Sequence, residues 1–579
     1  MENKTEKING GLNFYAEIIS LIKENNYVEK ELAKVKRELS LKYCLKRIPT
    51  NINILLRAKI SDIPLLKNKL MTKPVRTISG VSPVAIMTKP SRCPHGKCTY
   101  CVGGINSPWG DVPQSYTGHE PATMRGMRND YDAYLQVFNR LEQYILLGQN
   151  IDKIEIIVMG GTFPATSKEY QEEFITDTFR AMNDFSKLFF IISSKTEKKS
   201  FDYLKFKEFF ELPGDMHDEK RANSIKQKLR ELKSKSNCSL AEAKKENETA
   251  NVRCVALCIE TKPDWGLFKH GNEMLRQGCT RVELGIQSVY DDVLEHVHRG
   301  HDTNVSKKSI QILRDLGFKI NFHYMPGLPL TDYERDVKGM KQLFSDEGYK
   351  PDMIKFYPCM VGPKTVLYEQ YKAGKFTPIT TDIAAKMIAE VIPFVPEYCR
   401  IQRVQRDVPT KYWEAGVDKT NLRQYMDQTY GVKSRDIRAR EPKNRVVNWN
   451  KVEIKVIEYV ASGGKEFFIE AEDVENDILI GFARLRFPKE LLRPEITSDS
   501  ALLRELHVYG VATKLGESGE KKGSAQHRGW GKKLMQKAEE IAIQNGKKKM
   551  VVISGVGVKE YYRNKLGYSD DGIYVSKGL

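Results

Sequence analysis

The sequence predicts an α/β protein with a parallel sheet that closes partly into a barrel, followed by a second, smaller α/β domain. Short apolar strands alternate with amphipathic helices between residues 76 and 400, as in "KIEIIVMGG" and "RVELGIQS", and repeated strand–helix units imply a parallel sheet. Three cysteines precede the first of these units, in "CPHGKCTYC" at 93–101. Near the carboxyl terminus, "QHRGWGKKLMQKAEEI" places a glycine-rich turn directly before an amphipathic helix.

These signals divide the chain into four parts. Residues 1–75 form a basic, helical amino-terminal segment, and residues 76–400 form the barrel. A polar, Lys-rich stretch at 194–250 interrupts the barrel and predicts a helical surface insertion. Residues 401–447 form a basic connector, and residues 448–579 form the second domain. A chain of 579 residues is too long for one hydrophobic core, which agrees with several domains.

Composition narrows the class of protein. No apolar run approaches the roughly 20 residues of a membrane span, and no apolar segment follows a basic start, so we expect neither a membrane anchor nor a signal peptide. Ten cysteines are too few for a disulfide scaffold in a chain of this length. The composition therefore favours a cytoplasmic protein with reduced thiols.

The formal net charge of +18 is not spread uniformly. Residues 1–76 carry 16 Lys and Arg against 8 Asp and Glu, and residues 400–445 carry 12 against 6. Clustered positive charge beside an enzyme core favours a polyanion, most simply nucleic acid; a solvated basic surface is the alternative. In the second segment the candidate RNA-binding residues are Arg400, Arg403, Arg406, Arg435, Arg438 and Arg440.

The cysteine triplet has the spacing C-x4-C-x2-C, formed by Cys93, Cys98 and Cys101. A structural zinc ion takes four ligands, so zinc would need a remote fourth ligand such as His95 or His119. A [4Fe–4S] cluster held by three thiolates leaves one iron open to a small molecule. That arrangement defines radical S-adenosylmethionine (SAM) enzymes, whose commonest spacing, C-x3-C-x2-C, is one residue shorter.

Later motifs follow in the order that a radical SAM barrel requires. Gly160 and Gly161 come after a strand, where the backbone can approach the methionyl amine of SAM. Lys262 follows another strand end, and Glu283 and Gln287 lie along the next strand, where contacts to the ribose or methionyl group arise. Each residue alone is more often part of the fold; together they favour the cluster over zinc.

The carboxyl-terminal domain carries an independent signal. Gln526, Arg528, Gly529 and Gly531 fit Q-x-x-G-x-G directly before a helix, and the free amides of a helix amino terminus bind pyrophosphate. The strand "KKMVVIS" and the stretch "EYYRNKLGY" complete an order similar to that of Gcn5-related N-acetyltransferases, which bind acetyl-CoA across two splayed strands. The alternative interpretation of this glycine-rich turn is a nucleotide-binding loop, but neither the G-x-G-x-x-G motif nor the GK[ST] motif is present.

A chain that joins these two halves resembles the catalytic subunit of the Elongator family over residues 75–579. The resemblance lies in "CPHGKCTYC", "MGGTFP", "ALCIETKPDW", "GCTRVELGIQSVYDDVL", "RVQRDVP", "RELHVYG" and "VISGVGVKEYYRNKLGY". It implies a partial TIM-type radical SAM barrel followed by a Gcn5-related N-acetyltransferase domain. Eukaryotic-type members have a longer gap between the first two cysteines, which changes a loop and not the number of ligands.

The resemblance also implies roles for single positions. The three cysteines would hold the [4Fe–4S] cluster, with SAM on the open iron, and Lys153 would reach acetyl-CoA from the barrel side. Of the neighbouring Tyr561 and Tyr562, it is Tyr562 that matches the CoA-contacting tyrosine. The remaining acetyl-CoA contacts would come from Glu505, Leu506, His507, Val508, Gln526, Arg528, Gly529, Trp530, Gly531 and Lys532.

The implied reaction is modification of the wobble uridine, position 34, of tRNA, which forms 5-carboxymethyluridine from uridine, acetyl-CoA and SAM. Carbon 5 of uridine is not nucleophilic enough for ordinary acetyl transfer. Our hypothesis is that a 5′-deoxyadenosyl radical takes hydrogen from the acetyl methyl group and that the carbon radical adds to the base. The base must leave the anticodon stack to reach a buried centre.

Two other classes of function stay open. One is a protein (histone) lysine acetyltransferase with a structural Fe–S barrel, and the other is a non-catalytic tRNA-binding scaffold. The sequence leaves a homodimer and an assembly with partner subunits as alternatives.

Overall fold

Strand residues in the first half of the chain alternate between apolar and polar side chains, and this alternation gives the main sheet two different faces. In the strand Lys153–Met159, Ile154, Ile156 and Val158 are fully buried in the main core, whereas the residues between them are half-buried. The apolar face packs against helices, and the more polar face lines the concave side of the sheet.

The computed structural model describes residues 2–71, 80–192, 199–214, 218–235, 237–405, 408–443, 445–510 and 529–579, with side chains described from residue 12 onward. The helices are α1 (Glu2–Glu24), α2 (Glu29–Lys42), α3 (Asn51–Arg57), α4 (Ile63–Lys69), α5 (Pro121–Arg128), α6 (Ala133–Leu146), α7 (Lys168–Phe189), α8 (Tyr203–Phe209), α9 (Glu219–Lys235), α10 (Leu240–Asn247), α11 (Phe268–Arg276), α12 (Asp291–His296), α13 (Thr303–Asp315), α14 (Tyr333–Ser345), α15 (Val366–Lys372), α16 (Thr381–Val391), α17 (Leu422–Tyr430), α18 (Ile437–Arg440), α19 (Trp530–Gln544) and α20 (Lys559–Leu566).

The strands are β1 (Ser82–Met87), β2 (Gly104–Ser107), β3 (Gly110–Val112), β4 (Lys153–Met159), β5 (Phe190–Ile192), β6 (Lys199–Phe201), β7 (Arg253–Thr261), β8 (Arg281–Gln287), β9 (Lys319–Tyr324), β10 (Met353–Phe356), β11 (Arg400–Val404), β12 (Val452–Ala461), β13 (Gly464–Asp473), β14 (Ile478–Phe487), β15 (Ser500–Val508), β16 (Lys549–Val552), β17 (Ser569–Asp571) and β18 (Tyr574–Gly578).

Within the described residues, seven parallel strands form the first sheet in the order β1-β4-β7-β8-β9-β10-β11. The two edge strands, β1 and β11, are not paired with each other, so the curled sheet stays open. This confirms the predicted α/β fold with a partial barrel. All strand carboxyl ends lie at one edge of this sheet, which we call the upper rim, and all amino ends lie at the opposite edge, the lower rim.

The second sheet has the order β12-β13-β14-β15-β16-β18-β17 among the described strands. Its pairs are antiparallel except for β15 and β16, which are parallel. Helix α19 covers one face through Trp530, Leu534 and Met535. The other face shares the main core with the first sheet, because Phe482, Leu502 and residues of the barrel belong to one apolar cluster.

Helices α1 to α4 form a separate small core built from apolar residues such as Phe14, Ile18, Ile54 and Leu66. The predicted insertion at 194–250 includes α8, α9 and α10, and its residues Ile225, Leu229 and Leu240 belong to the main core. Its exposed face is polar, but its buried face is therefore part of the barrel's packing. Among the helices that the structure describes, none has the length and hydrophobicity needed to cross a membrane.

Candidate active site at the two rims of the barrel

The three cysteines lie in the loop that follows β1, at the upper rim. Arg299 is buried and donates a hydrogen bond from Nη1 to Sγ of Cys98 at 3.6 Å. The backbone N–H of Ser115 donates to Sγ of Cys101 at 3.3 Å. Sulfur binds a metal as the thiolate, and Arg299 and the Ser115 amide supply the hydrogen bonds and positive charge that support such a ligand.

The spacing of the sulfur atoms separates zinc from a larger cluster. A single tetrahedral ion with Zn–S bonds of about 2.3 Å needs ligand atoms about 4 Å apart. Among the described residues, Cys93, Cys98 and Cys101 do not form a ligand group within 4.8 Å of one another. Burial raises the pKa of Cys101 to about 11, so this thiolate needs a bound cation to persist at neutral pH. Three separated thiolates fit a [4Fe–4S] cluster better than one ion.

The predicted SAM-binding glycines follow β4 at the same rim and both adopt positive φ, 125° at Gly160 and 75° at Gly161. A Cβ atom on Gly161 would lie 3.9 Å from Sγ of Cys93, so the glycine backbone borders the cysteine loop. Lys262 follows β7, and Gln287 ends β8 with a strained φ of 66° and a buried Oε1 atom without a hydrogen-bond partner. These four predicted residues therefore share the upper rim with the cysteines.

Glu283, the fifth predicted SAM contact, lies deeper inside the barrel. Its side chain is fully buried and makes ion pairs with Arg281 at 3.1 Å and with Lys355 at shorter range, and it is hydrogen-bonded to Nε2 of His323 at 2.8 Å. Burial alone would raise the pKa of Glu283. The charge of Lys355 and the hydrogen bond between Glu283 and His323 instead hold this pKa well below its usual range. Glu283 is thus already engaged by the protein's own cations.

This ion cluster continues in both directions along the lumen. Toward the upper rim, Nζ of Lys355 lies 3.7 Å from Glu260, which accepts a hydrogen bond from the hydroxyl of Tyr116 at 2.7 Å. Toward the lower rim, Arg281 pairs with Glu155 at 2.6 Å. Glu260, Glu283 and His323 lie close enough together to hold a metal ion, but Lys355 already supplies the positive charge there. The lumen is therefore polar from one rim to the other.

The second domain contacts the lower rim and presents two splayed strands. β15 and β16 pair only from Ser500 to Leu503, and β16 ends at Val552, so Arg504 to Val508 lie beyond its reach. Glu505 pairs with Lys319 of β9 at 3.3 Å. The predicted acetyl-CoA strand thus leaves an open backbone edge next to the first residues of the barrel strands.

Helix α19 begins beside this open edge. No side chain caps its amino terminus among the described residues, and Gly529 precedes it with a φ of 74°. A Cβ atom on Gly531 would lie 2.9 Å from the hydroxyl of Tyr561 and 3.7 Å from Val508. Tyr562 is buried in the domain core beneath α19. The uncapped amides can bind an anion. The tyrosine whose hydroxyl lies beside this first turn is Tyr561, whereas the family resemblance pointed to Tyr562.

Lys153 is the first residue of β4 and therefore lies at the lower rim. On the neighbouring strand β7, Arg253 is the residue that pairs with Lys153. Gly557, which lies just before α20, packs against Arg253, because a Cβ atom on Gly557 would be only 2.5 Å from the Cβ atom of Arg253. Lys153 is thus one strand away from the turn that precedes α20, the helix that carries the two tyrosines. The length of β4 separates Lys153 from Gly160, a distance of roughly 20 Å at 3.3 Å per residue.

Three predicted residues, Arg406, Gln526 and Arg528, lie outside the described part of the chain. Trp530 and Lys532 belong to the first turn of α19. On β15, Leu506 and Val508 face the α19 side, whereas His507 stacks on Phe482 at 5.6 Å on the barrel side.

Comparison with known proteins gives a consistent picture. Residues 12–78 match the ELP3 N-terminal domain, residues 225–338 match the Radical SAM superfamily, and residues 351–430 match the Radical SAM C-terminal domain. A tRNA uridine(34) acetyltransferase of Methanocaldococcus jannaschii is 43% identical over 92% of this chain and 90% of its own length. Elongator complex protein 3 of Drosophila melanogaster is 37% identical over 97% of this chain and 95% of its own length.

The chain belongs to the Elongator protein 3 (Elp3) family. A solved structure of the archaeal Methanocaldococcus infernus Elp3 with an N-terminal deletion is similar with a TM-score of 0.69 and 38% identity, covering 87% of this chain and 100% of that one. A radical SAM domain implies a [4Fe–4S] cluster and SAM. The expected resemblance is therefore confirmed, and the cysteine loop fits the implied cluster.

In this Elp3 chain the predicted RNA-binding arginines divide into two groups. Arg400 pairs closely with Glu441, Arg435 with Glu397 at 2.9 Å, and Arg440, which is fully buried, with Glu470 at 2.8 Å. These three side chains hold the connector in place. Arg438 donates to a backbone carbonyl, and Arg403 is close enough to affect the pKa values of lumen residues of β10.

Sequence reasoning on this Elp3 chain missed most of the lumen cluster. Tyr116, Glu260, Lys355 and Arg299 were not among the predicted site residues. A signal existed in β8, where Arg281, Glu283, Gly285 and Gln287 occupy every second position of an otherwise apolar strand. That period of two marks a polar inner face.

Proposed function

We propose that this Elp3-family chain modifies uridine 34 of tRNA, adding a two-carbon unit from acetyl-CoA to carbon 5 of the base. The observation that carries the proposal is that one parallel sheet bears a three-thiolate loop on its upper rim and meets a splayed acetyltransferase strand pair at its lower rim. Relatives that span nearly the whole chain are named tRNA uridine(34) acetyltransferase.

On the upper rim, Cys93, Cys98 and Cys101 would hold the cluster, and Gly160 and Gly161 would let SAM approach it closely. A cluster and SAM held there would supply hydrogen-atom abstraction from an unactivated C–H bond. Arg299 and the amide of Ser115 hold the sulfur ligands in place through the hydrogen bonds described above.

On the lower rim, the open edge of β15 would bind the pantetheine arm of acetyl-CoA through backbone hydrogen bonds. The uncapped amides of α19 would bind the pyrophosphate. Lys153, at the lower rim, and the hydroxyl of Tyr561, beside Gly531, are the side chains that would orient the thioester.

Because roughly 20 Å separate Lys153 at the lower rim from Gly160 at the upper rim, the acetyl group would have to extend up the lumen for its methyl group to meet the radical. Glu283 and Lys355 hold each other ionised, and Glu260 lies 3.7 Å from Nζ of Lys355, so these side chains form a preorganised polar wall. A uracil that enters from the upper rim would meet Tyr116 and Glu260 first.

The test is isotopic. Anaerobically reconstituted protein, given SAM, a reductant, tRNA and acetyl-CoA with a trideuterated methyl group, will transfer deuterium into 5′-deoxyadenosine. Mass spectrometry of the nucleoside and of the wobble base provides the measurement. Cys98→Ala, which removes one cluster ligand, is the control and will give no deuterated product. Full carboxymethylation without deuterium in 5′-deoxyadenosine would contradict the proposed hydrogen transfer.

No specific observation on the described residues favours the alternative function, that of a protein lysine acetyltransferase. Glu505 pairs with Lys319 of the barrel, and His507 stacks on Phe482 on the barrel side, so this part of the acetyltransferase strand faces the barrel. CoA release triggered by a basic peptide and not by tRNA would support the alternative.

A further inference from the structure

A cavity of about 400 Å³ lies where α17 and α18 cover the outer edge of β11. Three cations line it, Arg423, Arg438 and Lys443, against a single lining carboxylate, Asp427. We propose that this cavity binds a phosphate of an RNA backbone together with the attached nucleoside. The choice of RNA as the source of the phosphate rests on the proposed function.

The cations of the cavity differ from the other arginines of the connector because their charges are poorly neutralised. The nearest carboxylate oxygens to Arg423 are 3.9 Å away on Asp427 and 4.0 Å away on Asp436. Arg438 donates to the carbonyl oxygen of Gln402 at 2.5 Å. Within the described residues, Lys443 has neither a side-chain hydrogen bond nor an ion pair. In contrast, Arg400, Arg435 and Arg440 all pair with glutamates.

Lys443 is the second residue of a turn that is closed by a hydrogen bond from the backbone N–H of Arg445 to the carbonyl oxygen of Pro442 at 2.8 Å. Its φ is +46°, in the left-handed region that a lysine rarely adopts, and this costs about 1–2 kcal/mol. Strained residues persist where the surrounding structure holds them, and they concentrate at binding sites. Here the strain places a third positive charge at the mouth of the cavity.

The cations of the cavity repel one another. Burial lowers the pKa of Arg438, and the neighbouring charges of Arg423 and Arg400 lower it further. Burial also lowers the pKa of Lys443, with Arg438 and Arg423 adding to this effect and Glu441 opposing it. A bound phosphate would relieve the repulsion among all of these groups.

The size and lining of the cavity favour a nucleotide over a bare phosphate. A volume of about 400 Å³ lies in the range of small-ligand sites, 300–1,000 Å³. Ile392 and Val432 form an apolar wall that can contact a sugar or base. Two guanidinium groups suit bidentate contact with phosphate oxygens. Because such contacts read the backbone and not the base, they would position tRNA without selecting its sequence.

The experiment compares Arg423→Gln and Lys443→Gln with Lys433→Gln. Lys433 is exposed, lies in the same connector and does not line the cavity, so it controls for the loss of one charge. The probe is an unmodified tRNA transcript with uridine at position 34, titrated with the full-length protein at several salt concentrations. We expect each cavity variant to bind about five- to tenfold more weakly, with the log–log salt slope reduced by about 1. The control will change affinity by less than about twofold.

Two outcomes would overturn the proposal. In one, Lys443→Gln and Arg423→Gln bind tRNA no more weakly than Lys433→Gln. In the other, the cavity variants lose affinity for CoA and keep full affinity for tRNA, which would assign the cavity to a phosphate of the cofactor. Mass spectrometry of the wobble nucleoside made by the unchanged protein tests the proposed function separately. Failure of the cavity proposal and failure of that function therefore give different results.

Discussion

His507 illustrates how burial fixes the charge of a single side chain in the candidate acetyl-CoA strand. Its Nε2 atom is buried and has no hydrogen-bond partner among the described residues. Burial lowers the pKa of His507 to about 4, so the imidazole is neutral at pH 7. A neutral ring stacked on Phe482 keeps positive charge away from the expected position of the thioester.

The pKa of His507 predicts a dependence of stability on pH. An unfolded histidine takes up a proton near pH 6.5, whereas folded His507 does so only near pH 4. Its contribution is therefore fully present above pH 6.5 and is lost as the pH falls toward 4, by about 2 kcal/mol at pH 5. In His507→Gln, which cannot titrate, the urea midpoint will fall less between pH 7 and pH 5 than in the unchanged protein. An identical fall in both proteins would contradict this assignment.

At the scale of elements, the turn after β4 depends on a close approach that only glycine permits. Gly160 has a φ of 125°, and a Cβ atom there would lie 2.2 Å from Oγ1 of Thr88, the residue that follows β1. Thr88 in turn donates to the carbonyl oxygen of Gly160 at 3.0 Å. The two loops that border the cysteines are thus locked to each other.

We expect Gly160→Ala to separate these loops and so to lower the iron content after anaerobic reconstitution by at least about half. The matched control is Gly374→Ala, which also has a positive φ, 69°, but meets open space. The control will lose about 1 kcal/mol of stability and keep its iron. Iron and sulfide analysis, with the visible absorption of the cluster, provides the measurement. Equal iron in both variants would show that the lock is not needed.

On the scale of the whole molecule, a buried ion network joins the two domains. Asp352, which precedes β10, accepts bonds from Nη1 and Nη2 of Arg504 at 2.8 Å each, and Arg484 lies 3.5 Å away. Burial would raise the pKa of Asp352, but the charges of Arg504 and Arg484 hold it far below its usual range. This carboxylate is thus ionised at neutral pH, and it fixes β15 against the lower rim.

Replacing that carboxylate tests how far the two domains depend on each other. Asp352→Asn leaves two buried guanidinium groups short of a partner, and we expect a loss of about 3–5 kcal/mol in the free energy of unfolding. Glu38→Gln, which breaks an exposed pair with Lys34 at 3.9 Å, will change it by no more than about 0.5 kcal/mol. Urea denaturation measures both. In Asp352→Asn, deuterium transfer will fall more than CoA binding does; a parallel fall would mean that the acetyltransferase domain has simply unfolded.

The sequence predicted the parts that depend on local pattern. Strand–helix alternation and the cysteine spacing led to the confirmed fold class and family. The lumen cluster could not be predicted from the sequence because its members are far apart in the chain. Lys355 and Glu283 are 72 residues apart, and predicting their contact requires knowing which strands are neighbours. The same holds for Arg435 and Arg440, whose partners could not be identified before the connector was placed against β13.

The polarity of the first sheet has a consequence for catalysis. A tRNA docked over the upper rim, where the cysteines lie, would leave the lower rim free for acetyl-CoA. Neither substrate would then have to leave before the other binds. This arrangement suits a ternary complex in which the two substrates bind in either order. It argues against a ping-pong mechanism, in which the enzyme itself would carry the acyl group between two half-reactions.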